Sequence, residues 1–159
     1  MMDINQLAEQ AIQLLEGLIA TPSLSREEGD TGDLLFSFFE QRGISVQRQM
    51  NNVRAKNKHW QEEKPILLLN SNHDTVKAAA GWQRQPFQPT TEGETLYGLG
   101  SNDAGGPLVS LIATFLYFYD VEDLPFNLIL AATAEEEISG KIGIAALLPK
   151  LGTISLGIV

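Results

Sequence analysis

Two helices are predicted near the start of the chain from the spacing of its apolar residues. Apolar side chains recur every three or four positions over residues 4–19, and residues 21–23 close that segment. A second periodic segment begins after Ser25 and runs up to Gly43. Glu28, three residues beyond Ser25, would complete a capping box at its start. Two amphipathic helices are therefore expected before the first strand.

The rest of the chain alternates between strand-like and helix-like segments. Continuous apolar runs between turn residues predict buried strands, and longer periodic runs predict helices. The predicted strands are 44–50, 52–57, 65–70, 95–97, 126–133 and 154–159, the predicted helices are 108–119 and 139–148, and 81–94 is predicted to be a loop. Such alternation favours an α/β fold, with a largely parallel sheet flanked by helices on both faces.

Composition limits the function of this fold. The 159 residues suffice for one domain, and the formal net charge of −9 opposes binding to nucleic acid or to an anionic membrane surface. The chain has no Cys, which excludes disulfides and thiolate metal ligands. No apolar run approaches the ~20 residues that span a bilayer. We therefore expect a cytoplasmic protein that acts on a small polar molecule.

Candidate chemistry follows three of the predicted strands. The three groups are Asn72-His73-Asp74, Asp103 and Glu135-Glu136-Glu137. In α/β folds the carboxyl ends of parallel strands lie at the edge of the sheet where ligands bind. Several carboxylates at one such edge repel one another unless a cation compensates them. The pattern therefore favours a divalent metal site.

Each group also has a simpler interpretation. The three glutamates are compatible with a solvated first helical turn, Asp103 with a cap of the helix near Pro107, and His73 with an ordinary hydrogen-bonded histidine. A dinucleotide-binding turn at residues 98–103 is disfavoured because Asp103 stands where the third glycine belongs. A serine nucleophile is disfavoured because the chain has no Gly-x-Ser-x-Gly sequence.

Four motifs together resemble a known family. "LLLNSNHDTV", "GWQRQPFQP", "LYGLGSNDAGG" and "AEEEISGKIGI", in this order and spacing, are similar to the acetylornithine deacetylase, succinyl-diaminopimelate desuccinylase and carboxypeptidase family of two-zinc hydrolases, and "LIATPSLSREE" resembles its opening. The closest resemblance is to the acetylornithine deacetylases. It implies a zinc-exopeptidase-like catalytic domain that hydrolyses the amide bond of a small N-acyl amino acid, as in arginine biosynthesis.

The same resemblance assigns roles to individual residues. It implies two divalent metals, zinc or alternatively cobalt, bridged by Asp103 and with Glu137 as a further ligand. It implies that Glu136 is the general base acting on metal-bound water and that Asp74 is a catalytic residue. These roles suit carboxylates, since paired cations activate water and polarise the amide carbonyl.

One position departs from the family pattern. The family has a metal-binding His two residues before the catalytic Asp, but here that position is Asn72. Its neutral amide oxygen is a weaker zinc ligand than imidazole, so one metal position should be weakened. His73 is one residue out of register and should point to the opposite face of the strand unless a bulge turns it inward.

The resemblance also implies that residues 1–159 form only part of a catalytic domain. The final "TISLGIV" is similar to the strand that leads into a Gly-Glu-Pro ligand motif in the family. The lid or dimerisation domain and the C-terminal part of the catalytic domain would then lie outside this sequence. Relatives are expected to be homodimers, and this chain is expected to be inactive alone and to self-associate. The alternative is a non-catalytic, truncated or decayed copy that acts through interactions.

Overall fold

The computed structural model describes residues 3–159, which form helices and strands in alternation. The helices are α1 (Ile4–Ala20), α2 (Gly29–Glu40), α3 (Gly106–Phe118) and α4 (Ile144–Leu147). The strands are β1 (Val46–Gln49), β2 (Asn52–Lys56), β3 (Ile66–Asn72), β4 (Thr90–Glu92), β5 (Thr95–Tyr97), β6 (Asn127–Thr133) and β7 (Ile154–Ile158). Within residues 3–159 every helix is too short or too polar to cross a bilayer.

Five strands form one mixed sheet in the order β1-β2-β6-β3-β7. β3 pairs in parallel with both β6 and β7, whereas β2 pairs antiparallel with β1 and β6. β1 and β2 are antiparallel because they form a hairpin, with Met50 in the left-handed region at a φ of 54°. The α/β prediction is confirmed, and the sheet is mixed where the sequence predicted a largely parallel one.

Helices cover both faces of the sheet, as predicted. On one face α1, α2 and α3 pack over alternate residues of the central strands, and Leu35, Phe39 and Phe115 are fully buried there. On the other face Leu147 of α4 packs against Leu68 and Ile129. The continuous apolar runs of β3 and β6 follow from this burial on both sides.

Two predicted segments differ from the structure. The expected helix over 139–148 is reduced to the four-residue α4 and a 3₁₀ turn at Leu148–Lys150, and a separate 3₁₀ turn at Glu136–Ile138 precedes it. Ser139 has a φ of 50°, which a right-handed helix does not allow, so the helix cannot start there. The predicted loop 81–94 includes β4, which pairs with β5 as a hairpin.

The predicted capping box at the start of α2 is wrong. Glu28 precedes the first helical residue, but no side chain caps this helix end. The Ser25 hydroxyl donates instead to Asp74 Oδ2 at 2.7 Å, and Glu28 accepts from the backbone N–H groups of Arg26 and Glu135. Both side chains are therefore used in contacts with the carboxyl edge of the sheet.

Candidate functional site

The candidate site lies at the carboxyl ends of β3 and β6. These strands are parallel neighbours, and their register places Asn72 opposite Thr133. The next residue, His73, extends the pairing through its N–H, which donates to the Thr133 carbonyl at 3.0 Å. Asp74 and Glu135 therefore leave the sheet side by side, although 61 positions separate them in the sequence.

Asp74 is a buried acceptor that joins several segments. Its side chain is 1% exposed. Oδ1 accepts from the Glu136 N–H and from Asn72 Nδ2, both at 3.2 Å. Oδ2 accepts from the Glu137 N–H at 3.2 Å and from the Ser25 hydroxyl at 2.7 Å. The carboxylate thus fixes the backbone of the turn that carries two of the predicted site residues.

The three consecutive glutamates have different environments. Glu135 is buried, lies in the left-handed region at a φ of 57°, and accepts from the Ile142 N–H at 3.3 Å. Glu136 is exposed and Glu137 is half-buried in the following 3₁₀ turn. The turn is therefore not the solvated first turn of a helix, and its three carboxylates differ: one is buried, one is exposed and one is half-buried.

Asp103 lies in an irregular turn, Ser101–Gly105, that precedes α3. It is exposed, and no side chain caps the start of α3, so the capping interpretation of Asp103 is not supported. Gly100 makes the close approach of this turn possible, because its φ is 75° and a Cβ there would lie 2.6 Å from Thr75 Cγ2. The turn thereby packs on the residue that follows Asp74.

Four side chains, here called the acidic group, share one electrostatic environment: Asp74, Asp103, Glu136 and Glu137. Burial raises the pKa of Glu137, and the negative charges of Asp103, Asp74 and Glu136 raise it further. Among the ion pairs of residues 3–159, none involves Asp103, Glu136 or Glu137. Negative charge therefore converges here without a compensating basic side chain in this part of the chain, and a cation would relieve it.

Asn72 presents an amide oxygen next to this group. It is 7% exposed, and its Nδ2 donates to Asp74 Oδ1 and, at 3.4 Å, to the Asp74 carbonyl. Because both acceptors are oxygens, the amide nitrogen must face Asp74 and the amide oxygen must point away from it. The amide oxygen makes no hydrogen bond to the described residues and is the side-chain atom of Asn72 that is suited to bind a cation.

His73 points away from the acidic group. Its Nδ1 lies 2.9 Å from the Thr31 hydroxyl, and its Nε2 lies 2.9 Å from the Asn51 carbonyl oxygen. A carbonyl oxygen only accepts, so Nε2 carries a proton. Burial lowers the pKa of His73, which favours the neutral ring. In that form Nδ1 accepts from the Thr31 hydroxyl, which also lies 3.1 Å from the Glu28 carbonyl oxygen. Both ring nitrogens are thus used in hydrogen bonds.

The bulge that would turn His73 inward is absent from the pairing of β3 with β6. The register runs without interruption from Ile66 to Asn72, and the His73 N–H continues it. The sequence-based assignment of His73 as a possible metal ligand is therefore not supported by its orientation. The simple interpretation of a hydrogen-bonded histidine describes it better.

The acidic residues at this edge supply oxygen donors but do not, within residues 3–159, form a complete metal-binding group. Carboxylate and amide oxygens from Asp103, Glu137 and Asn72 are suitable donors for a divalent cation. Within residues 3–159, however, no group of three or more His, Asp or Glu side chains is arranged to hold a metal ion. A complete two-metal centre is thus not assembled by these residues.

Sequence comparison identifies the family. Residues 68–156 match the family described as Peptidase family M20/M25/M40, and the chain belongs to this family of hydrolases. The acetylornithine deacetylases of Salmonella arizonae and Salmonella paratyphi B are each 34% identical to it over 143 residues, which cover 80% of this chain and 36% of each enzyme. The chain thus spans about a third of the length of these relatives.

Solved structures of the family share the fold. Human carnosine dipeptidase 1 matches with a TM-score of 0.73 and 21% identity, over 97% of this chain and 38% of that protein. The metallo-carboxypeptidase of Sulfolobus solfataricus matches with a TM-score of 0.70 and 23% identity, over 88% and 34% of the two chains. A dinuclear metal binding peptidase of Bacillus subtilis matches with a TM-score of 0.71 and 18% identity, over 96% and 43%.

Proposed function

We propose that this chain provides part of the catalytic domain of a metal-dependent hydrolase that cleaves the amide bond of N-acyl amino acids. The observation that carries the proposal is the convergence of Asp103, Glu136 and Glu137 around Asp74, without an ion pair from the described residues. Similarity to the acetylornithine deacetylases supports an N-acyl amino acid as the substrate class.

Two carboxylates in this arrangement are suited to hold cations. Asp103 is exposed on its turn, Glu137 is half-buried, and the charge of Asp103 raises the pKa of Glu137. A cation bound by both carboxylates would relieve this repulsion. The resemblance implies two divalent metals, zinc or cobalt, which when bound lower the pKa of water and polarise the scissile carbonyl.

Glu136 is the proposed general base. It is exposed, and its backbone N–H is held by Asp74, so its side chain is directed by a fixed backbone while remaining free to reach solvent. A carboxylate so placed accepts a proton from water and returns it to the departing amine. Asp74, which accepts from both Glu136 and Glu137, is proposed to fix this geometry and not to take the proton.

A second candidate function is favoured by Asn72. Where the family has imidazole, this chain offers only a neutral amide oxygen, and no complete metal-binding group is present within residues 3–159. These observations favour a non-catalytic copy that retains the fold of a hydrolase. Under this alternative, restoring the histidine would restore no activity.

The two candidates are separated by a chimera with a complete relative. This chain would replace the matched stretch of the Salmonella arizonae acetylornithine deacetylase, and release of acetate from N-acetylornithine would be measured with zinc or cobalt. We expect the Asn72→His chimera to be active and the chimera with Asn72 to be slower by about 10–10²-fold or more, since even mutation of residues that support a metal ligand costs about 10–10²-fold. Glu136→Gln in the active chimera should reduce kcat by about 10²–10⁴-fold.

Glu122→Gln is the matched control, because Glu122 is exposed in the loop before β6, at the opposite end of the sheet. It should leave kcat unchanged. Circular dichroism and thermal unfolding establish that each chimera is folded before it is assayed. A folded Asn72→His chimera without activity favours the non-catalytic copy, and full activity in the Glu136→Gln variant contradicts the proposed role of Glu136.

A further inference from the structure

Three consecutive backbone N–H groups of the Glu135–Glu137 turn donate to buried carboxylates from distant parts of the chain. Those of Glu136 and Glu137 donate to Asp74, and that of Glu135 donates to Glu28 Oε1 at 3.1 Å. Glu28 lies 107 positions before Glu135, in the segment that leads into α2. The turn is therefore held from two sides by acidic side chains.

Glu28 is fully enclosed. Its exposed fraction is 0%, and Oε1 also accepts from the Arg26 N–H at 2.7 Å, while Oε2 accepts from Asn51 Nδ2 at 2.8 Å. Among residues 3–159 no Lys or Arg forms an ion pair with it. A buried acid without a cationic partner is costly, so three N–H donors directed at it indicate a specific structural requirement.

The side chain must accept at both oxygens, and only a carboxylate does so. A glutamine would place its NH₂ group against one of the three donors, and an alanine would leave all three without a partner. The Glu135 N–H is the one donor among them that belongs to the turn of the candidate site. Because Glu135 has a φ of 57°, the turn needs a fixed partner to keep this conformation.

Hydrogen bonds also connect Glu28, through Asn51, to His73 at the end of β3. Asn51, which donates to Glu28, accepts through its carbonyl from His73, and the His73 ring also contacts Thr31. The buried histidine next to Asn72 is therefore part of the same network that holds the glutamate turn. Glu28 therefore connects the Glu135–Glu137 turn with the end of β3.

We propose that Glu28 is a positioning residue. It accepts from the Glu135 N–H and thereby fixes the orientation of the Glu136 and Glu137 side chains in the candidate site. This inference rests on the proposed function, because the value of orienting these side chains comes from their roles there. Glu28 itself is enclosed and does not reach the reacting atoms.

Amide hydrogen exchange on the complete 159-residue chain tests the inference without a metal. In Glu28→Ala the protection of the Glu135, Glu136 and Glu137 amides should fall at least tenfold relative to that of the β6 amides. Asn127→Ala is the matched control, since Asn127 is also 0% exposed and also makes three hydrogen bonds, to Gln61 and Lys64 at the opposite end of β6. It should leave the three amides unchanged.

A folded Glu28→Ala chain with unchanged protection at these three amides would overturn the inference. If Glu28→Ala does not fold, Glu28→Gln decides: a neutral acceptor binds more weakly than a carboxylate, so a smaller loss confined to the same amides is expected, and no loss overturns the inference. Zinc titration of the same variants provides the second readout. Glu28→Ala should bind zinc at least tenfold more weakly than the parent, and Asn127→Ala should bind it as the parent does. Absence of zinc binding by the parent chain would count against the proposed function, while the exchange result still decides the role of Glu28.

Discussion

Neighbouring side chains at the end of β3 have opposite orientations and different chemistry. Asn72 contacts Asp74 on the side of the acidic group, whereas His73 contacts Thr31 and Asn51 on the other side. Strand alternation explains this difference, because successive side chains point to opposite faces. Imidazole is therefore present next to the candidate site but is not directed into it.

The stability of the chain should depend on pH through His73. Burial lowers the folded-state pKa of this ring below its ordinary value of 6.5, so unfolding takes up a proton once the pH falls below that value. The contribution of His73 to stability is complete above pH 6.5 and is lost as the pH falls from 6.5 toward the folded-state pKa. Urea unfolding between pH 7.5 and 5.5 should give a slope of up to about 1.4 kcal/mol per pH unit.

The second histidine provides the control for this measurement. His59 lies at the surface near Asp120, with Nε2 2.8 Å from its Oδ1. His73→Gln should remove most of the slope between pH 7.5 and 5.5, whereas His59→Gln should retain it. An unchanged slope in His73→Gln would mean that the pKa of this ring is the same in the folded and unfolded chains, which contradicts the prediction.

At the scale of elements, Asn52 joins the β1-β2 hairpin to the turn after β6. It is 1% exposed, its Oδ1 accepts from the Ala134 N–H at 3.0 Å, and its Nδ2 donates to the carbonyls of Ile142 at 2.6 Å and Gln49 at 3.1 Å. The hairpin thereby supports the backbone immediately before the glutamate turn.

Removing this side chain should destabilise the chain as a whole. Asn52→Ala leaves one buried and two partly buried backbone groups without this partner, and we expect the free energy of unfolding to fall by about 2–4 kcal/mol. Asn102→Ala, at an exposed position, should change it by less than about 0.5 kcal/mol. Urea denaturation of the three proteins measures both values, and equal midpoints for Asn52→Ala and the parent would contradict the role assigned to Asn52.

The central elements were predictable from sequence because burial on both faces leaves a continuous apolar run. β3 and β6 lie within two residues of their predicted bounds, and α3 begins two residues earlier than predicted. The region after β6 was not predictable in the same way. Its apolar spacing is compatible with a helix, but the left-handed Ser139 and the close packing of Gly140 on Glu135 prevent one.

The candidate site was predictable in position and only partly in detail. Strand ends followed by acidic residues predicted Asp74, Asp103 and Glu137 at one edge, and in the structure the charges of Asp103 and Asp74 raise the pKa of Glu137. The role of Glu28 could not be predicted, because its partner Glu135 is distant in sequence and helix capping is the usual function of a glutamate three residues after a serine. Distinguishing buried Glu135 from exposed Glu136 likewise required the tertiary structure.

At the scale of the whole molecule, the sheet leaves one edge strand with apolar residues exposed. β7 pairs with β3 on one side only among the described residues, and Leu156 is 61% exposed. The chain spans about a third of the length of its acetylornithine deacetylase relatives, and cation binding can be measured on it directly.

Zinc titration calorimetry on the chelator-treated chain is the most direct test of the account. The parent should bind zinc, Asp103→Ala should bind at least tenfold more weakly, and Asn72→His should bind at least tenfold more tightly, a gain of about 1.4 kcal/mol. Asp123→Ala, at an exposed position before β6, should bind as the parent does. Equal binding by the parent and Asp103→Ala, or no gain in Asn72→His, would contradict a metal site at the carboxyl ends of β3 and β6.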